Sequence, residues 1–420
     1  MPVHIAGKVW QDGISSVPYG WTLLKLTPVV AVIYLLKLYF NGAVNTSERN
    51  MHSKVVMVTG GTSGIGAEVT KGLASRGAQI VLLTQHALTD AFLVDYIEDL
   101  RAQTGNELIT AEQVDLASLH SIRKFATKWV DNAPPRRLDM VVLCANTRTP
   151  SGASASFTED GLEATWGLNY MANFHLLSIL SPALRAQPPD RDVRIIFGTC
   201  SSYLGGMLPV STAAPSQKGK KETIEAVPFT PSTAYATSKL ALMTFALAFQ
   251  KHLSSYARPD KNPVNSRVII VDPGWTRTPG MRRLLTLGSL WGLLVYVVTW
   301  PLWWLFLKSS DQGAQTFLYA AMEAQYGRGE GGWFLKECRQ MGILKDEVKD
   351  EALQKKLWEV SEEAIKILEQ EGAKKRAAEK KSGDKGAAEG KETKAETKTK
   401  AKAKTTATKE NGAAKQRKGN

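Results

Sequence analysis

Five short apolar runs, VVMV (55–58), IVLL (80–83), MVVL (140–143), RIIF (194–197) and VIIV (268–271), are separated by stretches of helix length such as Gly64 to Ser75 and Ser118 to Val130. Runs without polar alternation suit strands covered on both faces, and helices between strands supply that cover. The pattern therefore predicts an α/β fold, a doubly wound parallel sheet within residues 51–371.

Two apolar segments do not belong to that pattern. Residues 21–40, WTLLKLTPVVAVIYLLKLYF, are interrupted by Lys25, Pro28 and Lys37. No small-x-small cleavage pattern follows, so residues 1–50 are read as a membrane-associated segment whose lysines snorkel to head groups. Residues 284–307 carry no charge, and as one straight helix they would be about 36 Å long, enough to cross a bilayer. Trp291, Trp300, Trp303 and Trp304, with Arg282, Arg283 and Lys308 at the flanks, resemble an interfacial belt.

The formal charge of +13 is a property of one end. Residues 372–420 hold 16 basic and 6 acidic groups, whereas the other 371 residues hold 37 and 34. The body thus gives no electrostatic reason to expect nucleic-acid binding. The tail has no aromatic or large aliphatic side chain and is expected to be disordered. An amphipathic helix precedes it, from about Asp346 to Glu371, with Val348, Leu353, Leu357, Val360, Ala364 and Leu368 on one face. Three cysteines, Cys144, Cys200 and Cys338, cannot build a disulfide framework and point to a reducing, cytosol-facing environment.

The first run leads straight into Thr59-Gly60-Gly61-Thr62-Ser63-Gly64-Ile65-Gly66, and a helical stretch follows. Glycines at 60, 64 and 66 let the backbone approach a pyrophosphate, which the free amides at the helix start then hold. Strand, glycine loop and helix in that order predict dinucleotide binding. After the second run the chain reads Leu83-Thr84-Gln85-His86, without the carboxylate that would accept from the 2'-hydroxyl of NAD, so NADP is favoured and NAD remains possible. Tyr235 and Lys239 share a helix face. Chance supplies about one such Tyr-x-x-x-basic spacing in a chain of this composition, so the spacing alone decides nothing. A phenol with a pKa near ~10 becomes a useful acid or base only beside a cation.

Together these motifs resemble the short-chain dehydrogenase/reductase superfamily and, within it, the retinol-dehydrogenase-like members. The resemblance rests on TGGTSGIG (59–66), Asp115-Leu116, Asn169 in GLNYMANFHLL, YATSK (235–239), DPGWTRT (272–278), GAQT (313–316), Gly331 to Phe334 and Leu357 to Glu362. With its two apolar segments the chain looks most like fungal membrane or lipid-droplet oxidoreductases of that group. The resemblance implies a Rossmann domain over 51–371 with the insert 284–307. It implies Tyr235 as general acid/base, Lys239 lowering its pKa and holding the nicotinamide ribose, and Asn169 in a water-mediated proton relay. Gly60, Thr62, Ser63, Gly64, Ile65 and Gly66 would cradle the pyrophosphate, Gln85 would face the ribose, and Asp115 the adenine. Pro273, Gly274 and Thr278 would border the nicotinamide, and no metal is implied.

Two departures stand out. Where the family has Asn-Asn-Ala-Gly, this chain has Leu143-Cys144-Ala145-Asn146. An ungapped alignment from Arg194 puts Cys200 at the catalytic serine, while a shift of one or two supplies Ser201 or Ser202. A hydroxyl is the better donor to a developing oxyanion, so Ser201 is the expected residue. The 34-residue interval from Ser201 to Tyr235 contains SQKGKKE (216–222), read as a solvated surface loop at the site's mouth.

The expected activity is an NAD(P)-dependent oxidoreductase of a lipophilic alcohol or carbonyl (retinoid, sterol or fatty aldehyde). Its expected seat is the endoplasmic reticulum membrane or a lipid droplet, with the catalytic domain facing the cytosol. The competing reading is a nucleotide-binding scaffold without turnover at such a surface. Because segments on both sides of 284–307 belong to the fold, that insert cannot span once. A re-entrant hairpin or interfacial helix pair is predicted, broken near Gly288, Gly292 or Pro301. Nothing in the chain specifies an oligomeric state.

Overall fold

The fully apolar runs become the inner strands of a twisted eight-stranded sheet. The computed structural model describes residue 10 and residues 19–208 and 229–378; the SQKGKKE loop and most of the basic tail lie outside them. In chain order come helix α1 (Gly20–Asn41), β1 (Val55–Thr59), α2 (Gly64–Ala74), β2 (Gln79–Thr84), α3 (Ala91–Thr104), β3 (Ile109–Gln113), α4 (Leu119–Val130) and β4 (Met140–Leu143). They are followed by α5 (Ala172–Arg185), β5 (Val193–Gly198), α6 (Pro231–Ser254) and β6 (Ser266–Asp272). Three short helices, α7 (Pro279–Leu285), α8 (Leu290–Val298) and α9 (Trp300–Phe306), precede α10 (Ser310–Met322), β7 (Trp333–Lys336) and β8 (Arg339–Met341).

The strand order is β3-β2-β1-β4-β5-β6-β7-β8, all parallel except for the final antiparallel pair. This is the doubly wound arrangement expected. Registers align Thr59 with Leu143, Leu143 with Phe197, and Gly198 with Val271, so the carboxyl ends of β1, β4, β5 and β6 share one edge. Ligands of such sheets bind at that edge.

One face of the sheet is covered by α2, α3 and α10 through Val69, Leu73, Leu100, Ala314 and Phe317. On the other, Phe174 of α5 and Phe245 of α6 meet at 4.9 Å between ring centroids, with Phe197 of β5 and Trp358 beside Phe245. Residues to Glu363 form one unit and Ala364–Asn420 a second. The division falls inside the amphipathic stretch expected to reach Glu371, and the described part of the second unit, 364–378, is helical.

The uncharged insert is not one helix. A bend of 105° separates α7 from α8, with Leu287 and Gly288 in left-handed conformations between them. A second break falls at Thr299, just before Trp300-Pro301. Gly292, named as a possible break, lies within α8. The two ends of the insert meet: Arg277 N donates to Lys308 O at 2.8 Å and Lys308 N to Trp275 O at 3.0 Å. None of α7, α8 or α9 has a buried residue. Helix α1 contains an 18-residue stretch, Leu24–Asn41, apolar and long enough to cross a membrane, and equally exposed.

Lys37 corrects the snorkelling expectation. Its ammonium donates to the carbonyls of Trp304 and Leu307 at 2.7 and 3.2 Å, capping the C-terminal end of α9. Phe40 packs edge-on against Phe306 at 5.1 Å, so α1 and the insert join side by side. Beyond α1, Ala43 N donates to Glu337 Oε2 at 3.0 Å. Glu337 also pairs with Lys308, whose ammonium reaches Pro273 O at 3.4 Å.

The aromatic cluster under α6 makes a direct test of the core. Phe245→Ala should lower unfolding free energy by about 3–5 kcal/mol, read as a reduced urea midpoint with unchanged slope.

Candidate active site

The glycine loop after β1 closes against the loop after β4. Gly60 adopts φ 67°, and a Cβ there would stand 2.7 Å from Ala145 Cα and N. A Cβ on Gly66 would lie 2.1 Å from Gly60 O. Only glycine permits so tight a turn. Ser63, the residue before α2, makes no side-chain capping bond, which leaves the first amides of the helix turned to a ligand. Thr62 is half-buried, Ser63 exposed, and Ile65 packs against the core, fixing the start of α2. These features fit a pyrophosphate. Thr278 joins them: its methyl is 3.4 Å from where a Gly64 Cβ would be, and its hydroxyl accepts from Met281 N.

At the end of β2, Gln85 is exposed while His86 Nδ1 lies 2.9 Å from Asp90 Oδ2. Asp90 also caps α3 by accepting from Phe92 N. Asp90 is the first carboxylate after β2, seven residues beyond the apolar run 80–83, and it is committed to the imidazole. Asp115 is half-buried; its carboxylate accepts from Ala117 N, so it shapes its own turn after β3.

Tyr235 and Lys239 occupy successive turns of α6, whose first residue is Pro231 and whose cap is Thr230. The Tyr235 hydroxyl accepts from Asn146 Nδ2 at 3.2 Å and from Cys200 Sγ at 3.4 Å. The Lys239 ammonium is 5.8 Å from the ring centroid and donates to Gly198 O at 3.1 Å. Burial and the neighbouring thiol hold the phenol above its ordinary pKa, while the Asn146 bond and the Arg148 guanidinium oppose that shift. Burial also holds the Lys239 amine below its ordinary value, against the pull of Cys200, Cys144 and Asp272.

The serine expectation needs correction. Ser201 does not face the phenol: its hydroxyl donates to Asp272 Oδ2 at 2.6 Å and accepts from Lys336 Nζ at 2.9 Å. Cys200, the last extended residue before the 3-10 turn Ser201–Gly205, points the other way, at Tyr235. The ungapped alignment is the one that puts the residue facing the phenol, Cys200, at that position.

Asn169 sits in a π-helical turn, Gly167–Met171, wholly buried. Its side-chain oxygen accepts from Thr147 N at 2.8 Å, and its amide donates to Thr147 O and Ser238 Oγ. It therefore fixes the loop carrying Asn146, rather than touching the phenol itself. Asp272, also buried, accepts from Gly274 N at 2.9 Å and so ties the Pro273-Gly274 turn to Ser201. Sequence reasoning missed Asn146 as a partner of the phenol. The signal was available, since it follows β4 by three residues at the ligand-binding edge. A cleft of about 660 Å³ lined by Gln250, Ser266 and Gln354 opens at the start of β6, the opposite end of the sheet, away from these groups.

Residues 54–208 match the short chain dehydrogenase family. The chain is 38% identical over 382 residues to the uncharacterized oxidoreductase pbr1 of Schizosaccharomyces pombe, covering 91% of this chain and 100% of that one. It is 32% identical over 310 residues to mouse polyprenol dehydrogenase, covering 73% and 82%, and 29% identical over 342 residues to human retinol dehydrogenase 13, covering 81% and 93%. Likeness along the full length of such relatives makes the chain a retinol-dehydrogenase-like member of the short-chain dehydrogenase/reductase superfamily, and hence an NAD(P)-dependent oxidoreductase.

Proposed function

We propose that the protein transfers a hydride between NADP and a lipophilic alcohol or carbonyl at a membrane or lipid-droplet surface, with the endoplasmic reticulum as the membrane and the catalytic unit on the cytosolic side. The observation that carries this reading is the Tyr235 hydroxyl, held by Asn146 and Cys200 at the ligand edge of the sheet, from which the chain after β6 leads into an exposed apolar insert. Relatives named for retinol and polyprenol support a lipophilic alcohol as substrate. The exposed α1 and the insert joined to it through Lys37 supply a surface for lipid.

When bound, the nicotinamide gives or takes the hydride. The chain's own residues do the rest. In the reducing direction Tyr235 passes its proton to the substrate oxygen as that oxygen gains charge; in the oxidising direction it removes the hydroxyl proton. Cys200 and Asn146 flank the phenol as donors, with the thiol standing where relatives of the family use serine. Lys239 supplies positive charge and a ribose contact, and Asn169 keeps Asn146 in place through Thr147. Gly60, Thr62, Ser63, Gly64, Ile65 and Gly66 hold the pyrophosphate, Asp115 the adenine side, and Pro273, Gly274 and Thr278 the nicotinamide side. NADP is preferred because Gln85 leaves room for a 2'-phosphate and Asp90 is occupied by His86.

Tyr235→Phe should abolish NADPH oxidation across a panel of retinal, sterol ketones and long-chain aldehydes while leaving NADPH affinity within about threefold. Wild-type protein that binds NADPH yet oxidises none of them would favour the scaffold reading. Cys200→Ala should cost roughly 10²-fold in kcat, as for the loss of one donor at a developing oxyanion, whereas Cys200→Ser should retain activity. A larger loss from Ser201→Ala than from Cys200→Ala would reverse that assignment. Replacing Leu290, Trp291, Val297 and Val298 together by Ser should reduce sedimentation with liposomes and leave NADPH binding unchanged.

A further inference from the structure

Arg148 lies two residues beyond Asn146, and its guanidinium carbon stands 5.0 Å over the Tyr235 ring. Its Nε is shielded from water without an acceptor, and among the described residues no carboxylate pairs with it. Other arginines of this fold are compensated: Arg137 grips Asp139, Arg194 grips Asp192 and Arg258 grips Asp260. Of the acidic groups that next follow Arg148 in the chain, Glu159 is exposed and not paired with it, and the other two are engaged. Asp160 accepts from Leu119 N at 2.7 Å, and Glu163 accepts from Thr165 N and Trp166 N. Asp272, the buried acid at this edge of the sheet, is bound by Ser201 and Lys336. Two cations, Arg148 and Lys239, therefore face one phenol, and among the described residues the guanidinium has no anion of its own.

Arg148 is half-buried with its Nε shielded, and a guanidinium partly withdrawn from water is stabilised by an acceptor; its paired N–H groups match a carboxylate or phosphate. The loop bearing Arg148 also meets the apolar insert: the Pro150 ring is 3.7 Å from where a Cβ on Gly288 would stand. The charge thus lies between the reacting phenol and the insert proposed to face lipid.

We propose that Arg148 recognises an acidic group on the substrate, which is then an anionic amphiphile: a long-chain lipid whose carboxylate or phosphate lies a few bonds from the reacting carbon. This rests on the oxidoreductase reading above and narrows its substrate class. The acid pairs with the guanidinium, the adjacent oxygen faces Tyr235, and the apolar chain leaves toward Pro150 and the insert.

The test reads binding, so it stands apart from turnover. The full chain, held in amphipol at pH 7.5 and saturated with NADP, is titrated with dodecanoic acid, dodecyl phosphate, methyl dodecanoate and dodecanol. At least one acidic probe should bind tenfold or more tightly than the ester and alcohol, and the stronger acid tells carboxylate from phosphate. Arg148→Gln should bring that probe to the level of the ester, with Arg148→Lys between the two. Equal binding of acids and ester by the wild-type protein would overturn the proposal, as would undiminished acid binding by Arg148→Gln. Loss of NADP affinity in both variants would assign the guanidinium to the cofactor's phosphates instead, and also overturn it. Failure of the broader reading would appear separately, as an absence of NADPH oxidation despite selective acid binding.

Discussion

Parallel main-chain pairing of β1, β4, β5 and β6 determines where everything else can be. Because these strands run the same way and in matched register, the loops after Thr59, Leu143, Gly198 and Asp272 emerge side by side. The glycine loop, Asn146 with Arg148, Cys200 with Ser201, and the Pro273-Gly274 turn are gathered by that geometry alone. Each is remote from the others in the chain, and none would meet another if one strand were reversed.

Electrostatics at that edge runs against the usual economy of protein interiors. A phenol raised by burial and an amine lowered by it sit within one small region, and both are displaced toward their neutral forms. Burial leads both displacements; at the phenol the Asn146 bond and the Arg148 charge oppose it, and the lowering expected from Lys239 is not among the influences on Tyr235. Asn169, to which the family resemblance assigns a water-mediated relay, makes its direct bonds to the main chain of Thr147 and to Ser238, next to the loop that carries Asn146. The π-helical turn around Asn169 is the backbone irregularity that aims it.

Much of the fold was legible because its inner strands have no choice of face: VVMV, IVLL, MVVL, RIIF and VIIV are buried on both sides and read as unbroken apolar runs. β3, β7 and β8 were not anticipated as strands: ITAEQ and RQM form the sheet's two edges, where β3 is partly and β8 wholly exposed, and WFLK is only four residues long. The glycine loop, Tyr235 and Lys239 were readable from residue type and order. The expectation that Ser201 faces the phenol weighed donor strength above register, and its hydroxyl turns to Asp272 and Lys336 instead. Lys37 was misread for a related reason. Sequence places it within an apolar stretch but does not reveal the carbonyls of α9 that receive it.

The knot at Glu337 has a mechanical consequence. One carboxylate holds Ala43, where α1 has just ended, and Lys308, where the insert returns; Lys308 in turn touches Pro273. Force applied to α1 or to α9 from outside therefore converges on Glu337, in the turn between β7 and β8, and on Lys308 beside it. Pro273 begins the turn beside the ligand edge, and Asp272, just before it, is anchored to Ser201 and Lys336. Tension in the outer helices is thus delivered where β6 and β7 end together, at Asp272 and Lys336, the same edge that carries the Pro273-Gly274 turn.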